Sequence, residues 1–302
     1  MRVREVAVDA ATLAVREWGD AGSPALLFWH SVGPGGTGAT VGVAADALAA
    51  AGWQVVAPDA PGFGRSAALP AGGYTLDRLA ALVWGVADEL ELGDVVLSGH
   101  SWGGAVAVAA AASRPERTRG LVLFDSGHCD YRDWPGADLT ATRDDMVAAA
   151  RADSVDSWEA LHAELRDAGL DQEWVMPAWH EAVEELGDGH IRLRVDPAAR
   201  GEALYELTHA TPSSAWPAIA EAGIPTLLVL ATQPAAVAEA NEALLPRFVA
   251  AVPQVDVVRP GCRHQVFADL GPRSGELVAE WLGSHLERYE QHGRHAERDA
   301  DR

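Results

Sequence analysis

The chain of 302 residues contains no lysine, so arginine supplies all of its fixed positive side-chain charge. It sets 23 basic side chains against 44 acidic ones, a formal net charge of −21. Such a surface repels polyphosphates and anionic headgroups, so no nucleic acid and no membrane is expected as a partner. Cysteine is nearly absent too: Cys129 and Cys262 are the only two. Two thiols in a chain this long make no disulfide framework and are read as free and reduced, with a redox pair as the outside alternative. No apolar run is long enough to span a bilayer. The opening MRVREVAVDAATLAVREWGD carries charge where a secretory signal would be apolar. These absences lead to the expectation of a cytoplasmic protein, with its oligomeric state left open.

Hydrophobic residues make up 48% of the chain, enough for a sizeable core. VREVAV and TLAVREW predict an N-terminal hairpin. ALLFWH, WQVVAPD, VVLSGH and GLVLFD then read as strands, apolar on both faces, alternating with helical stretches. That pattern predicts an α/β fold: a mostly parallel sheet with helices on both faces. The alternation stops after Asp125 and returns at IPTLLVLAT. The expected organisation is an α/β core over 1–126 and 223–291, a helical cap over 127–222 inserted after strand 6, and a polar, disordered tail over 292–302. SWEALHAEL places Trp158, Leu161 and Leu165 on one helical face.

VVLSGHSWGGAVAVAAAA, residues 95–112, sets a serine between glycines at the junction of a strand and a small-residue helix. A G-x-S-x-G in that context is a nucleophile elbow: the turn lifts Oγ off the sheet edge, and glycines let helix and strand pack close. The helix N-terminus behind Ser101 offers amides toward a developing oxyanion, the Trp102 amide among them. A serine hydroxyl also needs a base, and His264 in PGCRHQVFAD follows it in chain order.

Together GHSWGG, FWHSVGPGG, PDAPGFGRS and PGCRHQVFAD, in this order, resemble the α/β-hydrolase-fold serine hydrolases, of the esterase or lactonase type with a helical cap. The resemblance covers nearly the whole chain. It implies Ser101 as nucleophile, His264 as base, and the Trp102 and Val32 amides as oxyanion hole. Ser31 stands where the family usually has glycine. The family's acid usually follows the strand read here as PTLLVLAT, but this chain continues QPAA with no carboxylate. Asp125, at the end of the strand after the nucleophile's, is the leading substitute. Glu239 or Glu242, or no acid at all, are the alternatives. Asp59 matches the family's structural turn aspartate.

His30, Ser31, His100, His128, Trp134, Trp158 and Trp179 are candidate pocket residues. His30, His100 and His128 lack helical metal-ligand spacing, and no metal or organic cofactor is implied. The cap tryptophans suit either a pocket wall or the cap's own core. Glu159, Glu164, Glu181, Glu184 and Glu185 suit a solvated face, or a site for a substrate amine as in aminopeptidase relatives. The expected partner is a small, partly apolar substrate. The expected reaction is hydrolysis of a carboxylic ester, lactone or thioester. An aminopeptidase or amidase, a C–C bond hydrolase, acyl transfer, and a non-catalytic binding protein remain rivals, because fold alone does not choose among them.

Overall fold

Strands β1 (Arg2–Val8) and β2 (Ala11–Trp18) form the expected hairpin, with Val8 opposite Ala11. Strict alternation follows: β3 (Ala25–Trp29), α1 (Gly42–Ala50), β4 (Gln54–Pro58), α2 (Leu76–Glu89), β5 (Val95–His100), α3 (Trp102–Ser113) and β6 (Thr118–Phe124). The computed structural model describes residues 1–285, so the tail over 292–302 lies outside the described residues.

The chain then leaves the sheet for α4 (Arg143–Ala152), α5 (Trp158–Asp167), α6 (Met176–Ala182), β7 (Val183–Glu185), β8 (Ile191–Leu193), α7 (Pro197–His209) and α8 (Trp216–Glu221). It returns through β9 (Thr226–Val229), α9 (Ala235–Ala251), β10 (Val255–Val258), α10 (Val266–Leu270) and a helix α11 over 273–285. The sheet has eight strands in the order β1-β2-β4-β3-β5-β6-β9-β10. Only the pairings of β2 are antiparallel; all other neighbours run parallel.

Period-two alternation sorts the strand side chains onto two faces. Leu121 and Leu123 of β6 join one buried cluster with residues of α2, α3, α8 and α9. Val122 and Phe124 join the other, with residues of α1, α10 and α11. Covering both faces is why the strands are continuously apolar.

The insertion is not wholly helical. VEE and IRL, three residues each, pair as the antiparallel ribbon β7–β8. Such short segments carry too few residues to display a period. Their inward side chains Val183, Ile191 and Leu193 close a small separate core with Val155, Leu161 and Leu165. Trp216 and Ile219 of α8 are instead buried in the main core.

Candidate active site

Ser101 stands between β5 and α3 with φ 56° and ψ −125°, a left-handed φ that only a surrounding framework can enforce. The flanking glycines are explained by contact. A Cβ on Gly99 would strike the Gly103 carbonyl, and one on Gly103 would strike the carbonyl of Trp29 at the end of β3. Strand, helix and elbow meet there backbone to backbone, which places Ser101 on the carboxyl edge of the sheet, where open α/β sheets bind ligands.

Asp125 follows β6, also with a positive φ of 47°. Its backbone N–H donates to the Val229 carbonyl (2.7 Å), locking the β6 end to β9. His264 Nδ1 donates to Asp125 Oδ2 at 2.6 Å. A carboxylate only accepts, so Nδ1 carries a proton and Nε2 is the nitrogen turned away from the acid side chain. The carboxyl side chain is 3% exposed and the imidazole 41%, so the carboxylate is shielded while the imidazole stays accessible. Burial pushes the Asp125 carboxyl up, but the His264 hydrogen bond and charge and the Ala231 amide more than reverse this, leaving it below the usual carboxylate range. Glu242 is exposed and bonded to Arg259, and Glu239 is exposed. Among the three carboxylates considered, Asp125 alone meets His264.

The other oxygen of Asp125 is held as firmly. Oδ1 accepts from the Ala231 amide at the end of β9 and from Asn241 Nδ2 on α9, both at 2.9 Å. Asn241 is fully buried, donates also to the Ala231 carbonyl (2.9 Å), and accepts from His128 Nε2 at 3.1 Å. Three partners fix which end of the amide is which. The sequence reading missed Asn241. It is the only asparagine in the chain, and it shares a buried helical face with Leu245 and Phe248. A polar residue at that spacing on an apolar stripe was the available signal.

His100 packs against His264. Its Nε2 donates to the His264 carbonyl at 2.7 Å, and the two rings lie 4.9 Å apart. Burial, reinforced by the neighbouring His264, pushes His100 down to about 3, so it stays a neutral imidazole. His128 is likewise lowered by burial, against the pull of Asp125.

Two cavities flank Ser101 and His264. The larger, about 480 Å³, takes in Ser31, Val32, His100 and Trp179. The smaller, about 290 Å³, takes in Trp102, Asp125, His128 and Trp134. The Trp179 ring lies against Gly35 so closely that a Cβ there would clash with it. Arg200 of α7 donates to the Val32 carbonyl at 3.1 Å and pairs with Asp153 at 2.8 Å, tying the loop after β3 to the insertion.

Two pocket expectations are corrected. His30 lines neither cavity. It is fully buried, its Nδ1 donates to the Ser31 carbonyl (2.7 Å), its Nε2 accepts from the Ala60 amide (2.8 Å), and its ring packs edge-on to Phe63 and Trp102. Its pKa is pushed down to about 4 by burial, against the opposing charge of Asp59. Trp158 also lies away from both cavities. Its ring packs on His162 and His180, and Nε1 donates to Glu185 at 3.1 Å. Of the acidic residues expected on a solvated face, Glu181 departs. It accepts from Arg16, a fully buried arginine that also pairs with Asp59, and it pairs with Arg65 at 3.1 Å. Asp59 further accepts from the amides of Gly38 (2.8 Å) and Arg65 (2.9 Å). Glu164 lines the larger cavity. Cys129 and Cys262 form no disulfide, and burial raises both thiols, to about 12 and about 11. Among the described residues, no cluster of three or more His, Cys, Asp or Glu is arranged to hold a metal ion, and no helix is long and apolar enough to cross a membrane.

An eight-stranded, mostly parallel sheet with a strained serine at its carboxyl edge defines a class, and the model of the alpha/beta hydrolase fold matches residues 24–267. The chain belongs to that family. It is similar to a 2-hydroxy-6-oxononadienedioate/2-hydroxy-6-oxononatrienedioate hydrolase of Burkholderia vietnamiensis, 43% identical over 107 residues. That match spans 35% of this chain and only 37% of the relative's length. Among solved structures, E-2-(acetamidomethylene)succinate hydrolase superposes with a TM-score of 0.71 at 22% identity, covering 95% of this chain and 99% of that one. The enol-lactonase of Burkholderia xenovorans LB400 superposes with 0.67 at 19% identity, covering 93% and 100%. At those identities the likeness is one of fold.

Proposed function

We propose that this chain is a serine hydrolase that cleaves a carboxylic ester, lactone or thioester through an acyl-enzyme, with 127–222 acting as its cap. Ser101 Oγ attacks the carbonyl carbon while its proton passes to His264 Nε2. The amides of Trp102 and Val32 face the oxyanion. His264 returns the proton to the leaving group, whose bond to the acyl carbon breaks. Water, deprotonated by the same nitrogen, then releases the acid and restores Ser101. Asp125 keeps the imidazole in the reactive tautomer and stabilises its cation. The observation that carries the reading is the His264–Asp125 bond, beside a serine in the strained geometry of an elbow.

A second reading comes from the Burkholderia vietnamiensis relative. A 2-hydroxy-6-oxo-dienedioate has no ester, so its hydrolysis breaks a carbon–carbon bond, and it carries two carboxylates. The cavities argue against such a substrate here. Among the described residues no arginine lines either one, whereas Glu164 and the Arg200-paired Asp153 line the larger and the His264-bonded Asp125 the smaller. An unpaired buried carboxylate is costly, so an uncharged acyl donor fits better.

The test is pre-steady-state hydrolysis of 4-nitrophenyl acetate, with an aryl fluorophosphonate as an active-site label. The expected result is a burst of about one equivalent per chain and a label on Ser101, both abolished in Ser101→Ala. Absence of burst and label in the folded protein overturns the reading in favour of a binding role. Turnover of the dienedioate exceeding that of all esters supports the second reading.

A further inference from the structure

Building on the acyl-enzyme reading, we infer that the substrate is uncharged and two-armed, with apolar groups on both sides of the scissile carbonyl and the smaller arm about the size of an aromatic ring. The two cavities have only Ser101 and His264 in common. A carbonyl under attack therefore lies at a neck between two chambers, and its two substituents run opposite ways. The walls come from different parts of the chain. The larger chamber is built by the loop after β3 and by Leu161, Leu165 and Trp179 of the insertion. The smaller is built by Ala105 on α3, Val237 on α9, and Tyr131, Trp134 and Leu207 of the insertion.

Size sets the arms. An apolar cavity of about 150 Å³ holds a benzene ring. By that scale about 290 Å³ takes a ring with a short appendage, and about 480 Å³ takes a longer chain or a fused ring. Apolar and aromatic walls favour hydrocarbon on both sides. Charge narrows the class further. Burial lowers the pKa of His128, and among the described residues neither lining contains an arginine. An anionic arm would meet Glu164 in the larger chamber, and the nearby Arg200 is already paired with Asp153. Selectivity for uncharged arms thus separates this chain from the doubly charged compound for which its Burkholderia vietnamiensis relative is named.

The experiment measures kcat/KM for esters that differ in one arm at a time. Benzyl octanoate is compared with ethyl octanoate, benzyl acetate, and the benzyl half-ester of octanedioic acid, which differs only by a terminal carboxylate. The expected result is that benzyl octanoate exceeds each of the others at least tenfold. Val237→Trp, which fills the smaller chamber, should lower the benzyl-to-ethyl ratio at least tenfold. Ala178→Trp, which fills the larger one, should lower the octanoate-to-acetate ratio. Should Val237→Trp fail to fold, Trp134→Ala enlarges the same chamber and should raise the preference for naphthylmethyl over benzyl octanoate. Equal rates for the half-ester, or variants that move both ratios together, overturn the two-armed inference. Fluorophosphonate labelling is run on each protein. Intact labelling with unmoved ratios sinks this inference alone, whereas loss of labelling in the unmodified chain sinks the acyl-enzyme reading with it.

Discussion

The core and the insertion do different work. Ser101, Trp102, Asp125 and Asn241 stand at the ends of core strands or on core helices, and His264 on the core loop between β10 and α10; of their hydrogen-bond partners only His128, on Asn241, comes from the insertion. The insertion contributes walls: Leu161, Leu165 and Trp179 on one side, Tyr131, Trp134 and Leu207 on the other. Its own small core holds six buried side chains, and it is fastened to the core by Trp216 and Ile219 and by polar clasps, Glu181 on Arg16 and Arg200 on the Val32 carbonyl. On the proposed reading, the reacting groups sit on the core and the insertion supplies much of the cavity wall. Rigid strand ends can hold a proton-transfer pair within a few tenths of an ångström, whereas walls need only shape.

The comparison breaks most visibly at Asp125. Asp125→Asn keeps the volume but removes the charge and presents the imidazole with the wrong partner. Turnover should fall by about 10³ to 10⁴-fold with the fold intact, as measured by kcat and circular dichroism. Near-normal kcat would move the acid elsewhere.

Acid should weaken the core before any wall. His30 and His100, pushed to about 4 and about 3 mainly by burial, stay neutral in the folded chain but take up protons near 6.5 once unfolded. The unfolded state therefore binds more protons between those limits, so stability is full above about pH 6.5 and is lost as pH falls. At pH 5 the loss should be about 2 kcal/mol for each imidazole. Urea midpoints at pH 7.5 and 5.0 measure it. His100→Gln should flatten the slope, and a midpoint indifferent to pH would contradict the buried, neutral state of both rings.

Asn241→Ala leaves Asp125 Oδ2 on His264 but frees Oδ1 from one of its two clamps. The expected loss is about tenfold in kcat, with KM little changed, since one hydrogen bond to a charged group is involved. An equal rise in KM would point to general loosening of the site. The smallest effect belongs to the insertion. Glu181→Gln weakens a half-buried clasp while Arg16 keeps Asp59. It should change kcat/KM a few-fold for substrates reaching the larger chamber and leave the fluorophosphonate labelling rate unaltered. A changed labelling rate would show that the insertion tunes the chemistry as well as the fit.

The same division governs what the sequence disclosed. The elbow and His264 were legible because strained turns need glycine at fixed offsets and leave a local motif. Asp125 became the leading candidate because the usual acid position reads QPAA, and the structure sets its carboxylate 2.6 Å from His264 Nδ1. The Ala231 amide, from the end of β9, donates to it across the sheet. Asn241 was hidden because its partners lie 116 residues and 113 residues away along the chain, at Asp125 and His128. His30 looked like a pocket residue because a strand-end histidine gives no local sign of whether its ring turns to the cleft or, as here, into the backbone beside Ala60. Trp158 sat on the predicted face of its helix, yet that face closes the insertion's own core, and periodicity does not say what a face covers. The ribbon β7–β8 was too short to register at all.

The unequal chambers on either side of Ser101 also bear on stereochemistry. A carbonyl whose larger and smaller substituents each have one place to go turns a single prochiral face to the serine. An asymmetric carbon next to that carbonyl then puts its groups against one wall in one enantiomer and against the opposite wall in its mirror image. Handedness would be read by volume alone, and kinetic resolution of a racemic ester would follow from the same neck that admits the substrate.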